Sequence, residues 1–269
     1  LPSRRTGALV DHIMHDPRVR VVSFTGSTGV GRKLLKGAAD QVLKPAMELG
    51  GNAPVVVFED ANMDTAIEGT MLAKMRNLGE ACTAANRIYV HESIAEEFTR
   101  RLSAEMSALK VGDGTDPSVD VGPLVNADTR DKVAEFVADA VAKGAKVECG
   151  GAVPNGKGFY YPPTVLSNVS EDAECVRDEI FGPVAAIQTF TDQEDVIARA
   201  NDTEYGLVAY VFSEDFKRAL QVCERLEYGM VGLNRGLVSD PAAPFGGVKQ
   251  SGLGREGGHE GMLEFMETQ

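Results

Sequence analysis

The regular alternation of short β-rich runs with longer helical stretches most constrains the fold of this sequence. Apolar runs such as Val19–Phe24 and Val55–Phe58 have the composition of buried strands, and Ser93–Lys110 carries apolar residues four apart, as one face of a helix does. Strands that alternate with helices are typical of parallel βαβ units. The pattern therefore predicts an α/β fold.

The same reading assigns the rest of the chain. The predicted helices are Arg4–His15, Arg32–Ala39, Asn62–Asn77, Ser93–Lys110, Asp128–Lys143, Glu194–Ala200 and Phe216–Leu226. The predicted extended segments are Val19–Phe24, Pro45–Leu49, Val55–Phe58, Arg87–Val90, Lys146–Cys149, Tyr160–Val165, Val184–Phe190, Val208–Phe212 and Met230–Asn234. The tail over Pro241–Gly258 is dense in glycine, which indicates tight turns or close approach to another surface.

Charge and cysteine content exclude several classes of function. The 269 residues carry a formal net charge of −13, so nucleic acid and anionic membrane surfaces are poor partners. No apolar stretch approaches the roughly 20 residues of a membrane span, and the first residues do not have the pattern of a signal peptide. The four cysteines are too few and scattered for a disulfide framework, and no Cys/His cluster has zinc-ligand spacing. We expect no metal and a cytoplasmic location.

Two motifs in the first fifth of the chain suggest a binding site. Phe24–Gly31 is a strand followed by a glycine-rich turn and a helix, whose free N–H groups could hold a phosphate; a plain strand-to-helix turn is the alternative. Glu48 precedes the Gly50-Gly51 turn, and a carboxylate buried there would have the raised pKa of a general base. An isolated Glu near a turn is more often solvated surface.

Two further motifs add a nucleophile and a polar turn. Cys82 follows a helix in a glycine-containing loop, where an exposed thiol of lowered pKa could act as a nucleophile; a buried structural cysteine is the alternative. The segment Asp178–Pro183 places Glu179 and Phe181 before a strand, suitable for a ribose hydroxyl and a flat ring. Alone, this segment is merely a polar turn.

Five motifs, taken together and in order, resemble the aldehyde dehydrogenase superfamily: FTGSTxxG, ELGG, GxxC, EIFGPV and PFGGxKxSGxGRE. The resemblance runs over essentially the whole chain. It implies a partial Rossmann-type cofactor domain followed by an α/β catalytic domain. We predict the second half of the dinucleotide-binding domain at residues 1–80, a catalytic domain at 81–250 and a return segment at 251–269. The cofactor implied is NAD or NADP, and a homodimer or homotetramer is expected.

The resemblance also implies residue roles. Cys82 would attack the aldehyde, and Glu48 would activate the water that hydrolyses the resulting thioester. The residues that would contact the cofactor are Gly26, Ser27, Leu49, Gly50, Glu179 and Phe181.

Within the superfamily the sequence is most similar to succinate-semialdehyde dehydrogenases, by Arg76-Asn-x-Gly before Cys82, Cys-x-x-Ala-Asn-Arg after it and GLNRGLVS before the glycine-rich tail. The similarity implies that Arg76 and Ser239 hold the substrate's distal carboxylate, which suits the fork of a guanidinium. A surface ion pair is the alternative for Arg76, and Arg235 is a further candidate cation.

The sequence departs from the family pattern at several points. Ala84 stands where some members have a second cysteine, so we expect no disulfide switch, and Glu80 replaces the usual Gln before Cys82. Motifs of the family's amino-terminal part do not precede Leu1. The interpretation is therefore a carboxy-terminal piece with little activity alone, in which the choice between NAD and NADP cannot be read.

Three alternatives remain open from sequence. The enzyme could act on another semialdehyde or an aromatic aldehyde, or the chain could be a non-catalytic binding or scaffold fragment with an inert Cys82. A Cys–His hydrolase is disfavoured, because His91, the nearest histidine in sequence, has no evident orienting partner.

Overall fold

Two sheets of different size organise the computed structural model, which describes residues 5–269. The small sheet has the order β1-β2-β10, and the large sheet has the order β5-β6-β7-β4-β3-β8-β9. The strands are β1 Val21–Thr25, β2 Lys44–Glu48, β3 Ala53–Val57, β4 Ala85–His91, β5 Lys146–Cys149, β6 Thr164–Ser167, β7 Val184–Phe190, β8 Val208–Phe212, β9 Met230–Leu233 and β10 Gly252–Leu253. The α/β fold class predicted from the alternation is confirmed.

The helices connect the strands in the predicted alternation. They are α1 Thr6–Met14, α2 Thr28–Ala38, α3 Met63–Met75, α4 Glu92–Ala108, α5 Ala127–Ala142, α6 Glu174–Arg177, α7 Gln193–Asn201, α8 Phe216–Arg225 and α9 Gly258–Leu263. The predicted start of the first helix at Arg4 lies outside the described residues. No helix among residues 5–269 has the length and apolarity needed to cross a bilayer.

The large sheet is buried on both faces because its strands are almost all parallel and helices cover each side. In β3, Val55 and Val57 pack with α3 and α4, whereas Val56 packs with α7 and α8 on the opposite face. Side chains that alternate between two apolar layers require a continuous apolar run, which is why β3 has no polar residue.

One strand differs from the sequence-based expectation. The run predicted at Tyr160–Val165 becomes strand only at Thr164, because Pro162 and Pro163 have no N–H to donate to a neighbouring strand. The short elements α6, β10 and α9 carry no periodicity long enough to be read from sequence.

The chain leaves the small sheet and enters the large sheet well before residue 80, the predicted domain boundary. Strand β2 of the small sheet ends at Glu48, β3 of the large sheet begins at Ala53, and β10 later returns to pair antiparallel with β2. The division at residues 80 and 250 stays a prediction.

Candidate active site

The candidate site lies where the two sheets face each other. Strands β1 and β2 run in parallel and end together at Thr25 and Glu48. Residues 80–84, called the Cys82 loop below, directly precede β4, whose first residue pairs with the first residue of β3. The carboxyl ends of the small sheet and the amino ends of the large sheet thus border one space.

A cleft of about 430 Å³ fills that space. It is lined by Thr25, Gly26, Ser27, Glu48, Leu49, Gly50, Glu80, Ala81, Cys82, Thr129, Lys132, Glu179 and Phe181. The structure therefore brings together at one cleft both predicted catalytic residues and all six predicted cofactor-binding residues.

The glycine-rich turn presents a helix amino terminus to this cleft. Ser27 caps α2, its side chain accepting from the Val30 N–H at 3.4 Å. The Gly26 N–H donates to the Glu48 carbonyl at 3.0 Å, which ties the turn to the end of β2. A side chain at Gly31 would collide with Leu49, so the helix packs directly on the segment after Glu48. Its first N–H groups are placed to hold an anion.

Glu48 is a buried carboxyl group, with 5% of its surface exposed and Oε2 without a hydrogen-bond partner. Burial is the main cause that raises its pKa to about 7; repulsion from Glu256 adds to it and Arg255 partly offsets it. A carboxyl group that titrates near neutral pH has the proton affinity of a general base.

The glycine-rich tail closes over Glu48. A Cβ at Gly246 would lie 2.9 Å from Glu48 Oε1 and 2.8 Å from Arg255 Cδ, so only glycine leaves that carboxylate in place. Strand β10 adds the pairing of Gly252 with Glu48. The sequence marked this tail as approaching another surface, and that surface is the end of β2.

Cys82 is half-buried at the edge of the cleft. Burial is the main cause that raises the pKa of its thiol to about 11, and the carboxylates of Glu179 and Glu48 raise it further. The expectation of a lowered pKa is therefore wrong for this structure, because burial and, after it, the two carboxylates disfavour the thiolate. Glu80 also lines the cleft, and its Oε1 accepts from the Val125 N–H at 3.1 Å.

The loop before Cys82 is held in an unusual conformation. Asn77 and Leu78 have φ values of 53° and 59°, in the left-handed region that non-glycine residues rarely adopt. The side chain of Asn77 donates to the Glu80 carbonyl at 2.6 Å, and on the far side Tyr210 OH donates to the Thr83 carbonyl at 2.9 Å. Strain held by such bonds is typical of functional loops.

Glu179 and Phe181 lie on the turn before β7. Glu179 Oε1 accepts from the Gly51 N–H at 3.2 Å. Burial raises the pKa of Glu179, and the Gly51 N–H and then Lys132 lower it. Phe181 has a φ of 54°, so a strained residue also lines the cleft itself.

Comparison with known proteins identifies the family. Residues 4–269 match the model of the aldehyde dehydrogenase family. This chain belongs to the aldehyde dehydrogenase family. Its members use NAD or NADP.

Three proteins illustrate how similar this aldehyde dehydrogenase chain is to known members of the family. It is 57% identical to a succinate-semialdehyde dehydrogenase of Paenarthrobacter nicotinovorans, over 96% of this chain and 57% of that protein. It is 45% identical to a glutarate-semialdehyde dehydrogenase of Pseudomonas aeruginosa, over 97% and 54%. The crystal structure of an NADP-dependent enzyme of Escherichia coli superposes with a TM-score of 0.95 at 46% identity, over 97% and 54%. The chain thus spans about half the length of the relatives it matches.

Of the two predicted substrate-binding residues, only Arg76 lines a cavity beside the main cleft of this aldehyde dehydrogenase. Arg76 is exposed and lines a narrow crevice with Gly236 and Leu237, and the crevice shares Ala81 with the main cleft. Ser239 is exposed two residues beyond Leu237 and lines neither cavity. The structure brings the loop before Ser239 to Arg76, but it places no direct contact between the two side chains.

Sequence reasoning missed Thr129 and Lys132 of α5, which line the cleft. Lys132 Nζ donates to the Glu179 carbonyl at 2.7 Å and lies 5.2 Å from the Phe136 ring. Helix α5 is marked by sequence only as an amphipathic helix, so nothing in its pattern separates these residues from a solvated face.

The thiol of Cys82 gives a testable pH dependence. Because its pKa is raised to about 11, the rate constant of its alkylation by iodoacetamide, without cofactor, should rise about tenfold per pH unit from pH 7 and level off only near pH 11. Peptide mass spectrometry of the chain across this range measures it. A plateau already reached at pH 8 would contradict the electrostatic description of the site.

Proposed function

We propose that this chain is the catalytic portion of an NAD- or NADP-dependent dehydrogenase that oxidises succinic semialdehyde to succinate through a thioester on Cys82. The observation that supports it is the single cleft shared by Cys82, Glu48 and the six predicted cofactor contacts. A thiol and a base of near-neutral pKa within one cavity are what acyl chemistry with a final hydrolysis requires.

The cleft fits part of a dinucleotide. The amino terminus of α2 can hold a phosphate, and the carboxylate of Glu179 can accept hydrogen bonds from ribose hydroxyls. Lys132 adds a cation at the same wall. When bound, the nicotinamide accepts the hydride that the aldehyde carbon loses. A Cβ at Gly50 would lie 3.0 Å from Glu179 Oε2, so the glycine lets the segment after Glu48 pack closely against the Glu179 carboxylate.

The residues of the chain perform the other steps. The Cys82 thiol loses its proton to solvent, and the thiolate adds to the aldehyde carbon to give a thiohemiacetal alkoxide. Loss of hydride from that carbon, to the nicotinamide when bound, leaves a thioester. Glu48 takes a proton from water, the resulting hydroxide adds to the thioester carbon, and the C–S bond breaks to release the acid and the Cys82 thiolate. Below pH 7 Glu48 is mainly protonated, so hydrolysis should weaken in acid.

The choice of succinic semialdehyde rests on Arg76 and on the activities for which the relatives of this chain are named. Arg76 is an exposed cation beside the Cys82 loop, and a bidentate guanidinium suits a carboxylate. A glutarate-semialdehyde dehydrogenase is 45% identical to the chain, against 57% for the succinate-semialdehyde dehydrogenase, so the semialdehyde with one more methylene is the second candidate.

Replacing Arg76 with alanine should selectively impair charged substrates. Loss of a charge-assisted hydrogen bond should lower kcat/KM for succinic semialdehyde about 10- to 100-fold. The value for an uncharged aldehyde of equal chain length should change less than about threefold. Steady-state kinetics of the protein expressed from its complete gene measure both. Equal losses for both aldehydes would assign Arg76 a structural role. Arg100→Ala, at an exposed arginine on α4 that lines neither the cleft nor the crevice, serves as the matched control and should leave both values nearly unchanged.

A direct comparison of activities distinguishes the proposed dehydrogenase from a non-catalytic scaffold fragment. The 269-residue chain and the product of the complete gene are assayed for oxidation of succinic and glutaric semialdehydes with each cofactor. We expect turnover by the complete product and little by the chain alone, because relatives are about twice as long. Absence of turnover in both would refute the proposed function. A homodimer or homotetramer and a cytoplasmic location are proposed with it.

A further inference from the structure

Lys74 is a buried cation that the proposed mechanism leaves without a role. It lies on α3 with none of its surface exposed, and its Nζ donates to Asn86 Oδ1 at 2.9 Å. Within the described part of the chain it forms no ion pair with a carboxylate, and burial lowers its pKa to about 7. A buried ammonium with one amide partner is costly, and methionine would fill the same space. Packing alone therefore does not explain a lysine here.

The side chain of Lys74 contacts both ends of the Cys82 loop. On the near side its Cε packs under Gly79, where a Cβ would lie 3.1 Å away. On the far side its amine holds Asn86, four residues after Cys82. Gly79 in turn packs so closely on the Gly182 carbonyl that a side chain would collide. Through Gly79 and Gly182, Lys74 thus links the Cys82 loop to the turn that carries Glu179.

The charged and titratable groups that act on Lys74 are Cys175 and Glu179, both of which raise its pKa. The interaction with Glu179 is mutual: Lys74, after the Gly51 N–H and Lys132, is among the groups that lower the pKa of Glu179. Charge on Lys74 therefore favours the ionised carboxylate at the cleft wall.

We propose that Lys74 is a positioning residue, which clamps the two ends of the Cys82 loop and places its amine behind the turn that carries Glu179. The second half of this inference rests on the proposed function, whereas the clamp does not. Its effect on the reaction passes through Asn86, Gly79 and Glu179, since Lys74 lines no part of the cleft.

The clamp is tested on the chain itself with Lys74→Met, which keeps the length of the side chain and removes the amine. We expect trypsin cleavage after the exposed Arg76, and iodoacetamide labelling of Cys82 at pH 8, to accelerate at least about tenfold. Thr70→Val is the matched control, because Thr70 is also fully buried on α3 and its Oγ1 has no hydrogen-bond partner. Rates in Lys74→Met equal to those in Thr70→Val would contradict the clamp.

The electrostatic half is tested with the double variant Lys74→Met/Asn86→Leu in the product of the complete gene. Replacing both partners with apolar groups should restore the unfolding midpoint. The Kd of the cofactor should stay about fivefold weaker than in the wild type, while KM for the aldehyde changes little. Recovery of cofactor affinity together with stability would make Lys74 purely structural and overturn the inference. A wild type that binds no cofactor would refute the proposed function, with the clamp still decided by proteolysis and labelling.

Discussion

Replacing Cys82 with serine is expected to abolish aldehyde oxidation, lowering kcat/KM by at least about 10⁴-fold in the product of the complete gene. The hydroxyl is nearly isosteric, so the half-buried loop should keep its conformation. A serine alkoxide is far harder to form than a thiolate in a cleft where Glu179 and Glu48 already oppose negative charge. Steady-state kinetics with circular dichroism as a check of folding measure the effect.

The control for Cys82 is a second cysteine of similar burial. Cys149 and Cys223 are also partly buried, and neither lines the cleft. Cys149→Ser and Cys223→Ser should each retain activity within about threefold. An active Cys82→Ser protein, or an inactive Cys223→Ser protein of normal stability, would refute the assignment of the nucleophile.

Replacing Glu48 with glutamine should slow turnover about 10²- to 10⁴-fold, because the amide cannot take a proton from water. The pH profile gives the sharper prediction. Since the pKa of Glu48 is about 7, the base form increases as pH rises, and wild-type kcat should rise through pH 7 and then level off. In Glu48→Gln this inflection should be absent.

The neighbours of Glu48 provide matched controls for that inflection. Glu256 raises the pKa of Glu48 and Arg255 lowers it. The inflection should therefore move to lower pH in Glu256→Gln and to higher pH in Arg255→Met, with Glu48 itself unchanged. An inflection that persists near pH 7 in Glu48→Gln would show that another group is the base.

Much of the fold follows from local sequence, because the large sheet is buried on both faces. Strand β3 lies between two helical layers, so all of its residues are apolar. A continuous apolar run of this kind can be recognised in the sequence. The sequence predicts that the strand beginning at Thr164 starts at Tyr160, because Pro162 and Pro163 extend the chain without pairing. Strand β10 has only two residues, too few for any period to show.

The site divides in the same way between local and long-range information. Glu48 and Cys82 can be recognised in the sequence because each lies next to a glycine-containing turn or loop. The order of the motifs then indicates that the two residues belong to one site. Burial is the main cause of the raised pKa of Cys82, and the next is Glu179, which lies almost a hundred residues away in sequence and which no local pattern reveals. Lys132 and Lys74 likewise act through contacts made only when α5 and α3 pack on the sheet.

The most direct test of the central claim is to trap the acyl group. Glu48→Gln protein from the complete gene, mixed with succinic semialdehyde and oxidised cofactor, is quenched in acid and digested. We predict that peptide mass spectrometry finds the succinyl thioester on the peptide that contains Cys82, at higher occupancy than in the wild type because hydrolysis is slowed. Acylation of a different residue, or none alongside normal cofactor reduction, would contradict the account.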